Sequence, residues 1–246
     1  MGRRPKNSTM PGIIFSNGED GNRTPTVDSP NAGFYLPFDK AADFFSVYEN
    51  EINFYRGVEW LVRHDDFYKI YIKYLIDVVG MNCCQVMPNI KVEDNSKVTF
   101  EMHHGPILTL FDTTLIICNF LRFHGKKITT FDVADMILDE HQANCVRVVL
   151  VTKTTHIYIH DNSVLLNYQA GYGNTNAFLQ KYREGVTPDI RRRINKYIEW
   201  SKENNSFDNG VFEVAETLKR WDVNDWDTFD KDRIQREGEV HAWGMS

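Results

Sequence analysis

At 246 residues the chain has room for one large domain or two small ones, and its apolar content of 42% is enough for a real core. A net charge of −6 excludes a protein that coats nucleic acid through a general positive field, while leaving room for a local basic groove. Cys83, Cys84, Cys118 and Cys145 show neither disulfide-scaffold nor zinc-knuckle spacing, which fits a reducing cytoplasm. The N-terminus is basic but lacks an apolar h-region, and no apolar run approaches the roughly twenty residues of a membrane span. Neither a secretory signal nor a transmembrane helix is expected.

Residues 1–33, rich in Gly, Asn, Ser, Thr and Pro, read as a flexible N-terminal arm. Residues 34–90 read as a helical region. Phe34-Tyr-Leu-Pro-Phe is a short apolar anchor, and Asp39 caps a helix whose stripe runs Ala42, Phe45, Tyr48, Ile52, Tyr55 and Val58. A second helix spans Asp65 to Val79 and stops at Gly80. Residues 91–205 read as an α+β core with following helices. Ile90-Lys-Val and Lys97 to Met102 flank Asp94-Asn-Ser as a β-hairpin. Leu108 to Phe123 is a buried helix. Asp112 lies near the histidines that precede it, though a helix-start carboxylate explains it more simply. His124 reads as a helix terminus. Thr129 or Thr130 caps a helix over Phe131 to His141, with His141 most simply in a capping role and otherwise a spare ligand. Cys145 to Val151 is strongly β-prone, and Thr152 or Thr154 caps a short helix after it. Val164 to Tyr168 reads as a last strand.

Asn176 to Tyr182 and a segment opened by Thr187-Pro188 read as helices. The latter carries Arg191, Arg192, Arg193 and Lys196. That cluster is either a phosphate-contacting patch or a solvated helix face. Residues 206–246 form an acidic, aromatic tail, with a short helix over Val211 to Trp221. Trp226, Phe229 and Trp243 are suited to anchor in a partner's groove.

The chemistry-bearing stretch is Lys97-Val-Thr-Phe-Glu-Met-His103-His104, read with Thr152-Lys-Thr-Thr-His156-Ile-Tyr-Ile-His160. On a strand His103 and His104 point to opposite faces, so one is free to bind a metal while the other faces a substrate. Glu101 shares the face of His103, as an orienting group or as a solvated strand residue. On a helix His156 and His160 are four apart and share a face, a spacing that suits one transition-metal ion.

The order Glu-x-His-His, Asn144, strand, His-x3-His resembles the ββα-metal (HNH) endonucleases over residues 97–161. The resemblance implies a ββα-metal-like core with inserted helices and extended arms at both ends, within the α+β class. It implies His103, His156 and His160 as ligands of a divalent ion (Mg, Mn, Ni or Zn), His104 as general base and Asn144 as the residue orienting it. It departs from compact members of that family in the long segment between His104 and Asn144, which has room for two helices. The run from Asn82-Cys-Cys-Gln through the Thr-His-x3-His segment is also similar to uncharacterised proteins of large tailed bacteriophages. The expectation is a phage-encoded, metal-dependent DNA endonuclease in the cytoplasm of the infected cell. The alternative is a non-enzymatic virion or assembly protein that binds other phage proteins, or itself, through its arms.

Overall fold

The structure, a computed structural model, describes residues 15–17, 23–25, 48–93, 98–126, 129–161 and 163–221. The Phe34–Phe38 anchor, the Asp39 cap, the Asp94-Asn-Ser turn and the anchors Trp226, Phe229 and Trp243 lie outside these residues. Within the segment expected as a flexible arm, β1 (Phe15–Asn17) and β2 (Arg23–Pro25) pair antiparallel.

Helix α1 (Tyr48–His64) buries Phe54, Tyr55, Val58, Leu61 and Val62, one stripe at three-to-four spacing. Asp65 separates it from α2 (Asp66–Asp77). Its carboxylate accepts the Phe67 N–H at 2.8 Å, so one residue ends a helix and caps the next. After α2, Gly80 adopts φ 83°, a left-handed conformation that glycine enters without steric cost. Two capping boxes start the central helices. Thr109 with Asp112 opens α3 (Leu110–Phe123), and Thr129 with Asp132 opens α4 (Thr130–Gln142).

The central sheet has two strands, β3 (Phe100–His104) and β4 (Val148–Thr152), antiparallel with His103 opposite Val149 and Glu101 opposite Val151. The expected hairpin partner, Ile90 to Val92, contributes only an isolated bridge from Lys91 to Cys83. The β4 run is buried at all five positions. A continuous β-branched apolar run gains most from being covered on both faces, so it takes the place beside β3. Val164 to Tyr168 is likewise no strand. It runs irregularly into a 3-10 turn (Tyr168–Ala170), because its carbonyls are satisfied by side chains: Tyr197 donates to the Leu166 carbonyl at 2.8 Å and Arg147 to that of Tyr168 at 2.9 Å.

Thr152 ends β4 and caps α5 (Lys153–His160), its hydroxyl accepting the Thr155 N–H at 3.2 Å. Then come α6 (Thr175–Lys181), α7 (Pro188–Glu203), with Thr187 as cap and Pro188 in its first turn, and α8 (Asn209–Arg220), capped by Asp208. The class is α+β: helices around a small two-stranded sheet. The main buried cluster runs from Phe54 through Met102, Ile117, Val148 and Ile194 to Trp221. It crosses positions 90 and 205, where composition divides the chain, and takes in α8, whose Val211, Val214 and Leu218 are buried. A smaller cluster of Cys84, Val149, Val151 and Leu166, with Ile159 of α5 against it, lies on the other face of the sheet.

Candidate metal centre

Alternation along β3 sends Met102 and His104 into the main core and leaves Glu101 and His103 on the face of the smaller cluster. Helix α5 follows β4 with no intervening residue, and it carries His156 and His160 to that same face. His103, His156 and His160 each present one ring nitrogen, and the three nitrogens lie within 4.8 Å of one another. The rings meet edge to face, with centroids 5.0 Å apart for His103 and His156, 5.3 Å for His103 and His160, and 4.5 Å for His156 and His160. The Nε2 atoms of His156 and His160 are 3.0 Å apart.

Glu101 reaches this cluster from β3. Its carboxylate accepts from His156 Nδ1 at 2.5 Å. That bond fixes the His156 tautomer with a hydrogen on Nδ1 and a lone pair on Nε2, so His160 is the donor between the two rings. His103 is 5% exposed, and its Nδ1 has no hydrogen-bond partner. Burial, then the neighbouring His156 and His160, push the His103 imidazole down to about 4, so it is neutral at pH 7. Burial also lowers His156, against the pull of Glu101. A Cβ at Gly105 would sit 2.9 Å from His103 Nε2, so the absence of a side chain there leaves the ring its room.

His104 occupies the opposite face and is 3% exposed. Its Nε2 lies 3.0 Å from His141 Nε2, while His141 Nδ1 donates to the Ile137 carbonyl at 2.7 Å. His141 is therefore the acceptor and His104 the donor between them, and His104 Nδ1 is left buried without a partner. Tyr68 stacks on His104, and Tyr68 and Tyr71 stand edge-on to His141. Burial holds His104 well below the ordinary imidazole range and His141 at about 4.

The expected site residues thus separate. His103, His156 and His160 come together, and Glu101 joins them. His104, expected as a general base, is enclosed by aromatic rings on the far side of the sheet. Asn144, expected to orient it, is a helix terminator with φ 55°, its N–H on the His141 carbonyl and its own carbonyl accepting from Asn174. His141 is the partner of His104, not a cap, and nothing in its spacing announced that. Asp112 is a capping-box carboxylate that also takes Arg193. Arg191 donates to the Leu218 carbonyl at 3.0 Å and Arg192 pairs with Asp189, which leaves Lys196 as the exposed member of the basic cluster with no partner of this kind described. Arg192, Arg193 and Lys196 remain exposed on the face of α7.

A protein-family model described as Bacteriophage G278-like virion protein matches residues 37–224. No curated protein and no solved structure matches the chain. The family match corrects the expectation of a DNA-binding hydrolase of the HNH type: what it supports is a particle protein.

Proposed function

From the premise that this chain belongs to the bacteriophage G278-like virion protein family, we infer that it is a built-in constituent of the phage particle that works by binding other phage proteins. The observation that carries this is the match itself, which spans α1 to α8 and every element of the main core. Among the described residues no helix is long and apolar enough to cross a membrane. The contact segment we assign is the C-terminal tail. Trp226, Phe229 and Trp243 supply large apolar faces between carboxylates, a composition that suits an aromatic-anchored joint with a basic rim on the partner.

The test is made in infected cells with the chain supplied from a plasmid. The wild-type chain is expected in purified particles by mass spectrometry. The triple variant Trp226→Ala, Phe229→Ala, Trp243→Ala should lose at least about tenfold in particle occupancy while its amount in the lysate holds, since a single aromatic anchor is commonly worth about 2 kcal/mol. A wild-type chain that stays in the lysate and never enters particles overturns the virion reading. Unchanged occupancy of the triple variant overturns the tail assignment alone.

A further inference from the structure

We propose that His103, His156 and His160 form a binding site for a borderline divalent transition-metal ion of the zinc class, with Glu101 as the outer carboxylate that orients His156. This goes beyond the particle role and stands on the geometry of the site.

Three ring nitrogens within 4.8 Å of one another is the spacing of groups that share a small central ligand. In a tetrahedral site with metal–nitrogen bonds near 2.0–2.1 Å, ligand nitrogens stand about 3.3 Å apart. The His156 and His160 Nε2 atoms, at 3.0 Å, are already close to that edge, so only His103 must swing inward. Glu101 stands on His156 Nδ1 as an outer carboxylate stands behind a metal ligand. Ligating imidazoles give their other nitrogen to a carboxylate, which fixes the tautomer and raises the basicity of the ligating atom. His103 Nδ1 is buried with no hydrogen-bond partner among the described residues, which leaves that nitrogen open to a ligand.

The donor set names the ion. Three imidazole nitrogens, joined by no carboxylate among the described residues, suit Zn²⁺, Co²⁺ or Ni²⁺; Mg²⁺ and Ca²⁺ require oxygen donors. His160 is exposed, so the fourth position faces solvent and takes a water. The bound ion joins β3 to the end of α5, closing the side of the sheet that only the smaller cluster covers.

The experiment uses the untagged full-length chain stripped with a chelator, then titrated with Zn²⁺ and Co²⁺ by calorimetry and, for Co²⁺, by visible absorption. One ion per chain is expected, with the intense visible bands of four-coordinate Co²⁺ and no competition from millimolar Mg²⁺. His160→Ala, at an exposed position that spares the fold, should weaken binding by about a hundredfold or more. Glu101→Gln should weaken it by about tenfold, the usual effect of removing an outer partner. His156→Ala is the second ligand variant, and far-UV circular dichroism of each variant checks the helices. No binding of Zn²⁺ or Co²⁺ by the wild type overturns the site. Undiminished binding by His160→Ala and His156→Ala places any bound ion elsewhere and overturns it equally. Neither result bears on whether the chain enters particles.

Discussion

His103 and His104 are neighbours in the chain, almost equally buried, and both lie beside other histidines, yet they belong to opposite kinds of environment. On the His104 side a directed chain of donors ends on a helix carbonyl, from His104 to His141 to Ile137, with Tyr68 against both rings and Tyr71 against His141. On the His103 side the partners ride on one short helix, one of them open to solvent, and a carboxylate stands behind them. Burial of an imidazole therefore says little about its purpose. What separates the two is where the lone pairs point: into a sealed, aromatic-lined core, or toward a common point with an exit.

Disrupting the sealed pair has the largest expected effect. His141→Ala removes a large buried ring and strands the His104 Nε2–H, a loss of about 3–5 kcal/mol and a fall in melting temperature of about 10 °C. Zn²⁺ stoichiometry should be unchanged, because no ligand lies on that face. Altered stoichiometry would show that the two faces are one coupled unit.

Acid is the next lever. His141 is held at about 4 against an ordinary 6.5, with burial the main cause, Arg63 adding to it, and the Ile137 carbonyl and Glu140 opposing it. Above pH 6.5 the ring is neutral folded and unfolded, so its contribution is fully present. Between pH 6.5 and 4 the unfolded chain takes up a proton that the folded one refuses, and stability falls as pH drops, by about 3 kcal/mol in all, levelling off below 4. Urea midpoints at pH 7 and 4.5 should therefore show the gap between wild type and His141→Phe narrowing on acidification. A constant gap would mean that this imidazole takes up its proton alike in the folded and unfolded chain.

The smallest perturbation sharpens the contrast from the other side. Gly105→Ala places a methyl group against the His103 ring. In the metal-free chain that ring can turn aside, so the expected cost is under about 1 kcal/mol. With an ion bound it is pinned, and Zn²⁺ affinity should fall about tenfold, the scale of a misplaced ligand. Equal metal affinity for the two proteins would place His103 outside the site.

Much of this contrast was written in local patterns. Period two put His103 and His104 on opposite faces and Glu101 with His103, and period 3.6 put His156 above His160. Asp65, Thr187 and Gly80 marked element boundaries because their chemistry acts within a few residues, and of the pairs Thr129 or Thr130 and Thr152 or Thr154 the first member is the cap. What stayed hidden was set by distant partners. The choice of β4 over Ile90–Val92 as the mate of β3 depends on which run can be covered on both faces. The pairing of His104 with His141 depends on how α4 packs under the sheet. The charges of Arg191 and Arg193 look like a surface patch until Leu218 and Asp112 arrive from other helices. The helix over Val211 to Trp221 was legible, but that its Val211, Val214 and Leu218 join the main core was not, because composition places them in an acidic tail.

Thr152 is at once the last residue of β4 and the cap of α5, so strand and helix meet at a joint with no slack. The rotational phase of α5 about its own axis is then inherited from the sheet. One residue inserted after Thr152 would turn the helix by about 100° and carry His156 and His160 away from His103 without changing any of the three. The angular address of the cluster is set at that joint, where the Thr152 hydroxyl caps the helix, and is kept by Ile159 on the sheet and Glu101 on His156.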